Sequence, residues 1–290
     1  MLRLSMIALT LIAGALCSAG TAWAGQDSTL QTVHFDGPGK LTLTGYLFLP
    51  AAPEGRVPAI VLMHGRAGAY SSLAKGRYDA TTLTKRHVFW GRFWAARGYV
   101  ALLVDGFGPR GYPAGFAARS YSDRPEAVNE VTVRPLDAYA ALAYLRGRAD
   151  VDPARIALQG WSNGGSATLA AMADTTLQAV GTSPGQAFVG ALAFYPACKL
   201  HDAFKDSYRP YAPVRVFSGD DDEEVSAARC KRLVDDSRAA GGDIAITTYP
   251  GATHDFDDPG EWRQSVEANV AADEDAIPRA EAFVKDLFGR

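Results

Sequence analysis

The chain has 290 residues, of which 48% are hydrophobic and 21% charged, and its formal net charge is −3. This composition is typical of a globular protein, and a chain of this length buries enough apolar surface to form a core without disulfides or metals. Nucleic-acid binding requires a strongly basic face, which the charge balance does not favour. We therefore expect no nucleic-acid partner.

The N-terminus has the pattern of a secretory signal peptide. Arg3 precedes an apolar run over residues 4–16, and the small residues that follow end in A-W-A at 22–24. A positive start, a short apolar segment and an A-x-A site are the parts of such a signal. The alternative, an uncleaved anchor, is disfavoured because the apolar run is short for a membrane span. A lipoprotein is disfavoured because Leu16 is larger than the residue that usually precedes the lipidated cysteine, here Cys17.

We therefore expect residues 1–24 to be removed and the rest to be exported, to the periplasm or the medium, without a stable membrane anchor. Residues 25–290 contain no obvious linker or repeat and are predicted to form a single domain. Two cysteines remain after cleavage, Cys198 and Cys230. An even number of cysteines in an exported protein favours a disulfide, and two buried thiols are the alternative.

Short apolar runs alternate with helical patterns along the remaining chain. Strands are predicted at residues 32–35, 41–49, 59–63, 99–104, 156–158, 189–195, 214–217 and 244–249. Helices are predicted at residues 87–97, 133–148, 163–171, 226–240 and 274–288. The first two strands are predicted to be antiparallel, and the later alternation predicts parallel strands with right-handed crossovers. The fold class is therefore α/β, with about eight mostly parallel strands and helices on both faces of the sheet.

The third predicted strand ends in the loop H-G-R-A-G, residues 64–68. Backbone N–H groups in such a loop can stabilise a developing oxyanion. The N–H of Arg66 is the expected donor. His64 is expected to brace the loop and not to act as a catalytic base.

The fourth predicted strand ends at Asp105, and the loop G-F-G-P-R-G-Y-P follows at 106–113. Ligands of open α/β sheets bind at the carboxyl ends of the strands. Phe107 and Trp161 are therefore predicted to line an apolar pocket, although both could equally belong to the core. Arg110 is predicted to bind a substrate carboxylate through its planar guanidinium. The alternative is that Arg110 pairs with Asp105 or with loop carbonyl groups.

The segment G-W-S-N-G-G, residues 160–165, lies between a predicted strand and a predicted helix. A serine at such a sharp turn has a strained backbone, and its neighbours two residues away must lack a Cβ atom, as Gly160 and Gly164 do. Ser162 is therefore a candidate nucleophile, with the N–H of Asn163 as the first oxyanion donor. The alternative is a glycine-rich turn with an incidental serine.

A serine nucleophile needs a base, and the base needs an acid that orients it. Of the five histidines, only His254 lies in a loop that follows the last predicted strand. The acid must come from the run of five acidic residues at 220–224. We favour Asp222 because the two residues between it and Gly219 let the chain leave the strand before it presents a carboxylate, and we keep Asp220 and Asp221 as alternatives. The other acidic side chains of this run are expected to be solvated.

Six segments together resemble the dienelactone hydrolase family of the α/β-hydrolases. They are HGRAG (64–68), DGFGPRG (105–111), GWSNGG (160–165), AFYPAC (193–198), GDDDEEV (219–225) and YPGATHDF (249–256). The resemblance implies the α/β-hydrolase fold and catalytic residues in the order Ser162, Asp222, His254. It also implies an exported branch of the family, whose members have a cysteine pair at the positions of Cys198 and Cys230.

The chain departs from the family in one respect. The namesake enzymes use a cysteine nucleophile held by a glutamate near the oxyanion loop, whereas Ser162 replaces that cysteine and no glutamate lies within 64–68. The expected function is hydrolysis of small carboxylic esters or lactones through an acyl-enzyme, with no metal or organic cofactor. A peptidase or acyltransferase on the same fold, and a non-catalytic binding module, are the alternatives.

Overall fold

The structure, a computed structural model, describes residues 28–53, 55–200 and 208–289. The strands are β1 (Thr29–Asp36), β2 (Thr42–Leu49), β3 (Val57–Met63), β4 (Val100–Asp105), β5 (Val151–Trp161), β6 (Ala191–Phe194), β7 (Val214–Gly219) and β8 (Ile244–Tyr249). The α-helices are α1 (Lys85–Ala95), α2 (Arg134–Arg146), α3 (Asn163–Met172), α4 (Asp174–Ala179), α5 (Ala227–Ala239), α6 (Glu261–Gln264) and α7 (Glu267–Gly289).

The strands form one eight-stranded sheet in the order β1-β2-β4-β3-β5-β6-β7-β8. β1 is antiparallel to β2 and β2 is antiparallel to β4, whereas all later neighbours are parallel. This arrangement confirms the predicted α/β-hydrolase fold with about eight mostly parallel strands. β4 is buried along its whole length, which explains why it reads as a continuous apolar run and not as an alternating one.

Apolar clusters cover both faces of the sheet. On one face, α2, α3 and α5 contribute side chains such as Leu142, Leu169 and Val234. On the other face, α1 contributes indoles such as Trp94, and α7 contributes aliphatic side chains such as Val284. The sheet is therefore a rigid layer, and the loops at the carboxyl ends of its parallel strands share one edge.

The strand before Ser162, β5, is longer than predicted, and α4 and α6 are not predicted, but the largest shift of a single boundary is at the start of the last helix. The sequence predicts a helix over 274–288, whereas α7 begins at Glu267 and contains Pro278 in its interior. Proline is favoured in the first turn of a helix, so Pro278 indicates a helix start close to it. The predicted helix therefore begins seven residues after the true one. The predicted signal peptide lies outside the described residues. Within the described residues, no helix is long and apolar enough to cross a membrane.

Candidate active site

The turn between β5 and α3 holds Ser162 in an uncommon backbone conformation, with φ 53° and ψ −116°. The glycines on either side make this turn possible. A Cβ atom on Gly160 would lie 2.3 Å from the carbonyl oxygen of Gly164, and one on Gly164 would lie 2.0 Å from that of Met63. Real Cβ atoms do not approach backbone so closely, so both positions require glycine, as the sequence predicts.

Three side chains from separate loops form one hydrogen-bonded chain. The Oγ of Ser162 lies 2.9 Å from Nε2 of His254, and Nδ1 of His254 lies 2.8 Å from Oδ2 of Asp222. All three side chains are almost completely buried. Because an ionised carboxylate only accepts hydrogen bonds, the ring proton belongs on Nδ1, which leaves Nε2 free to accept the serine hydroxyl. This arrangement can remove the proton from a serine as it attacks a carbonyl group.

The acidic run after β7 presents one carboxylate to the histidine, that of Asp222. Its second oxygen accepts hydrogen bonds from the backbone N–H groups of Glu224 (2.9 Å) and Val225 (2.8 Å), so the loop itself orients the side chain. The alternatives Asp220 and Asp221 are exposed. Of the three candidates from the sequence, Asp222 is therefore the one that the structure brings to His254.

Neighbouring side chains hold His254 in place. The ring of Tyr195 packs against the imidazole at a centroid distance of 4.8 Å. The backbone N–H of His254 donates to Glu223 at 2.9 Å, and Glu223 also accepts from Arg263 at 2.8 Å. The buried side chain of Asn269 accepts the preceding backbone N–H at 2.8 Å. The imidazole is therefore fixed by a contact to its ring and by hydrogen bonds from its own backbone N–H and from that of the preceding residue.

The carboxylates around His254 determine its protonation. Burial alone lowers the pKa of the imidazole, but the negative charges of Asp255, Asp222 and Glu224 more than offset this effect, so that the pKa is raised above its ordinary value. A base with a raised pKa is a stronger proton acceptor, and it stays protonated to a higher pH.

The two predicted oxyanion donors are the backbone N–H groups of Asn163 and Arg66. Asn163 is the first residue of α3, and Arg66 belongs to the loop after β3. This loop reaches the serine, since a Cβ atom on Gly65 would be 3.4 Å from the Cβ of Ser162. In the part of the chain that the structure describes, neither N–H donates to a protein acceptor. Both predicted donors are therefore free to bind an oxygen atom of a ligand.

A buried ion network holds the side chain of Asn163. Its amide nitrogen donates to Glu130 at 2.8 Å, and its amide oxygen accepts a short hydrogen bond from Arg134. The guanidinium of Arg134 is fully buried over the ring of Phe107, and burial lowers its pKa to about 10. The first residue of α3 is thereby held through its side chain, while its backbone N–H stays unpartnered among the described residues.

The guanidinium of Arg66 forms a two-point ion pair with Glu224. Its Nε donates at 2.6 Å, and its Nη2 makes a second, short hydrogen bond. The carboxylate of Glu224 also lies 3.9 Å from Nε2 of His254. Although the sequence has no glutamate within 64–68, a glutamate does reach this loop from the acidic run after β7.

His64 connects two loops at the edge of the sheet. Its Nδ1 lies 2.7 Å from the carbonyl oxygen of Gly65, and its Nε2 accepts the backbone N–H of Gly106 at 3.1 Å. The side chain is fully buried, and burial lowers its pKa well below the ordinary value. A neutral imidazole with both nitrogens occupied braces the loops, which is the role predicted from the sequence.

Three predicted substrate contacts point elsewhere in the structure. The side chain of Arg110 is 8% exposed and binds Asp137 through two nitrogens at 2.9 and 2.8 Å. Phe107 is fully buried, with its ring edge-on to that of His64. Trp161 is also fully buried and donates its indole N–H to Asp257 at 2.7 Å. All three side chains therefore make contacts inside the protein and do not form a pocket wall. Arg110 and Trp161 bind buried carboxylates, and Phe107 packs against an aromatic ring.

A cavity of about 470 Å³ adjoins the hydrogen-bonded chain. Its walls are the acidic loop after β7 and the loop after β6, with Tyr121, Glu130 and Arg229 from elsewhere in the chain. Ser162 does not line it, but Asp222 and Glu224, which both contact His254, do. The cavity is more strongly charged than the apolar pocket predicted from the sequence.

A disulfide joins Cys198, in the loop after β6, to Cys230 in α5, as the sequence predicts. Cys198 lines the cavity, so the disulfide connects one cavity wall to the helix behind the acidic loop. Among the residues that the structure describes, no cluster of His, Cys, Asp and Glu side chains is arranged to hold a metal ion.

Sequence reasoning misses the residues that support the reactive side chains. Glu223 and Glu224 are interpreted as solvated, yet each has an arginine partner that is distant in the chain. Glu130 and Asp257 lie in none of the motifs that the sequence analysis identifies. Asp257 follows directly after the family-like segment at 249–256, which is the only signal near it.

Comparisons with known proteins identify the family of this chain. Residues 43–288 match the family model for the dienelactone hydrolase family. The uncharacterized protein Rv2307c of Mycobacterium tuberculosis (strain ATCC 25618 / H37Rv) is 30% identical over 243 residues, which cover 80% of this chain and 73% of that protein.

Two solved structures share the fold. A dienelactone hydrolase-like promiscuous phosphotriesterase, P91, from metagenomic libraries superposes with a TM-score of 0.65 at 18% identity, covering 90% of this chain and 98% of that one. Esterase 2 from Thermogutta terrifontis superposes with a TM-score of 0.61 at 18% identity, covering 89% of this chain and 92% of that one. With the family match over nearly the whole described chain, this protein belongs to the dienelactone hydrolase family.

Proposed function

We propose that the protein is a serine hydrolase that cleaves small carboxylic esters or lactones through an acyl-enzyme. The observation that carries the proposal is the unbroken chain of hydrogen bonds from Ser162 through His254 to Asp222. Its position at a strained turn with two unpartnered N–H groups nearby supports the same reaction, since acyl transfer needs both a nucleophile and an oxyanion site. Family membership supports hydrolase chemistry in general.

In the first half of the reaction, the Oγ of Ser162 attacks the carbonyl carbon while Nε2 of His254 takes the hydroxyl proton. Asp222 holds the ring proton on Nδ1 and stabilises the imidazolium that forms. The N–H groups of Asn163 and Arg66 bind the oxyanion of the tetrahedral intermediate. His254 then gives its proton to the leaving alkoxide, and the acyl group remains on Ser162.

In the second half, water enters the site and His254 removes one of its protons. The resulting attack on the acyl-enzyme passes through a second tetrahedral intermediate, bound by the same two N–H groups. Collapse of that intermediate returns the proton to Ser162 and releases the carboxylic acid. Ser162 and His254 are the residues that exchange protons with the substrate and water, whereas Asp222 and the two amides act through hydrogen bonds alone.

The cavity beside His254 supports a substrate of limited size. Its volume of about 470 Å³ is at the lower end of the range for small-molecule sites. The cysteine pair ties one of its walls to α5. We propose that one side of the ester occupies this cavity, and that long acyl chains fit poorly.

We also propose that the protein is exported after cleavage behind residue 24. The disulfide between Cys198 and Cys230 supports this proposal, because such bonds persist in oxidising compartments. N-terminal sequencing of protein from the periplasm or the medium should give Gly25 as the first residue. A chain that retains Met1 would contradict the cleavage.

The proposed function is tested with a panel of aryl esters of graded acyl length, simple lactones, and an amide matched to the best ester. We expect turnover of short esters or lactones, a decline with increasing acyl length, and slow cleavage of the amide. The Ser162→Ala variant is the control for contaminating esterases and should be inactive. Faster cleavage of the amide than of the ester would instead favour a peptidase.

A further inference from the structure

A buried carboxylate three residues beyond His254 collects hydrogen bonds from several elements. Asp257 is 2% exposed. Its Oδ2 accepts the indole N–H groups of Trp90 (2.9 Å) and Trp161 (2.7 Å), and its Oδ1 accepts a short hydrogen bond from the hydroxyl group of Tyr195. We call Asp257 and these three aromatic donors the Asp257 cluster. Every one of its side chains is buried.

Two of the donors belong to elements that carry or contact the reactive side chains. Trp161 is the residue immediately before Ser162 in the chain, so its indole position is coupled to the strained turn. The ring of Tyr195 packs against the imidazole of His254. A single carboxylate therefore connects the serine side of the site to the histidine side.

Arg86 of α1 extends the connection to the main chain after His254. Its guanidinium lies 2.9 Å from Asp255, 3.3 Å from Asp257 and 3.0 Å from Asp258. Asp255 has a positive φ of 58°, which is unfavourable for a residue with a Cβ atom. One cation thus holds a strained turn directly beside the imidazole.

The chemistry of the cluster favours positioning over simple stabilisation. Burying a carboxylate is costly unless it is well hydrogen-bonded, and an apolar side chain of similar volume usually stabilises a core as well or better. The same aromatic layer contains a neutral alternative. Trp94, fully buried, donates its indole N–H to Gln159 at 2.8 Å and not to Asp257. The charged acceptor, Asp257, therefore lies where the elements that carry Ser162 and contact His254 meet, and the neutral acceptor, Gln159, binds Trp94.

Building on the proposed function, we propose that Asp257 is a positioning residue of the hydrolytic reaction. By binding Trp161 and Tyr195 at once, it sets the separation between the turn that carries Ser162 and the ring of His254. The hydrogen bond from Ser162 to His254 depends on that separation, and displacements of about 1 Å at a reactive site cost up to about 100-fold in rate.

The test compares Asp257→Asn, Trp161→Phe and Tyr195→Phe with the matched control Trp94→Phe. Asparagine keeps the volume of the side chain, and each phenylalanine variant removes one polar group and keeps an aromatic ring. We expect Asp257→Asn to lower kcat by about 10- to 100-fold with KM within about twofold, because the reactive geometry changes and the cavity does not. Trp161→Phe and Tyr195→Phe should lower kcat less. Trp94→Phe should lower the melting temperature without changing kcat.

An unchanged kcat in a folded Asp257→Asn variant would overturn the proposal. If that variant does not fold, the comparison of Trp161→Phe with Trp94→Phe decides, and equal effects of the two on kcat would overturn it. A wild-type protein that turns over none of the esters would overturn the proposed function as well. An active wild type with insensitive variants would overturn only the positioning role.

Discussion

Two arginine–carboxylate pairs lie beside the same edge of the sheet, and only one of them contacts the candidate site. Arg66, after β3, pairs with Glu224, whose carboxylate lies 3.9 Å from His254. Arg110, after β4, pairs with the fully buried Asp137 of α2 and contacts no member of the hydrogen-bonded chain. The strand end brings both arginines to this edge, but the nearest carboxylate determines where each long side chain points.

The comparison separates two kinds of loop. The acidic loop after β7 contributes Asp222 and Glu224 to the site and should affect catalysis more than stability. The loop after β4 directs Phe107 and Arg110 into the interior and should affect stability more than catalysis. Three substitutions test this separation.

Asp222→Asn should have the largest effect, a loss of about 10⁴-fold in kcat with little change in the melting temperature. Asparagine can still accept the two backbone N–H groups of the loop, but its amide nitrogen would face Nδ1 of His254. The imidazole would then carry its proton on Nε2 and could not accept the proton of Ser162. Steady-state kinetics measure the loss, and Asp221→Asn, which changes an exposed carboxylate in the same loop, is the matched control. Equal losses in both variants would contradict the assignment of Asp222.

Arg110→Met should destabilise the protein by about 3 kcal/mol, because the buried Asp137 loses its two hydrogen bonds to a cation and keeps only the nearby charge of Arg134. Activity per folded molecule should stay the same for neutral and acidic substrates. Urea unfolding measures the loss, and replacing Asp137 by leucine in the same chain should recover part of it. If KM instead rises for acidic substrates alone, with stability unchanged, Arg110 binds substrate as the sequence analysis predicts.

Glu224→Gln should have the smallest effect, a change of less than about tenfold in kcat/KM at any pH. His254 must be neutral to act as a base, so kcat/KM falls as the pH drops through its pKa. The negative charge of Glu224 contributes to raising the pKa of His254, and removing it should move the acidic midpoint of the pH profile to a lower pH. Asp220→Asn, at an exposed position of the same loop, should leave the midpoint in place. A midpoint that rises in Glu224→Gln would be the contrary result.

Much of the fold could be predicted because buried parallel strands leave a direct signature. β3 and β4 are nearly continuous apolar runs, and residues such as Gly65 and Gly106 follow their ends. The start of α7 could not be predicted in the same way. Pro278 marks the first turn of the predicted helix, whereas in the structure α7 begins earlier, at Glu267, and its packing on the sheet tolerates the hydrogen bond lost at the proline.

The hydrogen-bonded chain could be predicted because its three members follow separate strands in a fixed order. The supporting contacts could not, since a single sequence gives no distances between loops. Trp161 illustrates the limit. Its place beside Ser162 predicts a pocket residue, but the side chain lies in the aromatic layer beneath the site and binds Asp257.

The central claim is that Ser162 is the activated nucleophile, and covalent labelling with a fluorophosphonate tests it most directly. Such a reagent forms a stable bond only with a serine whose proton can be removed by a neighbouring base. Intact-mass spectrometry and peptide mapping should find one adduct per chain, located on Ser162, absent from Ser162→Ala and formed far more slowly in His254→Ala. An adduct on another residue, or no adduct in a preparation that hydrolyses esters, would contradict the claim.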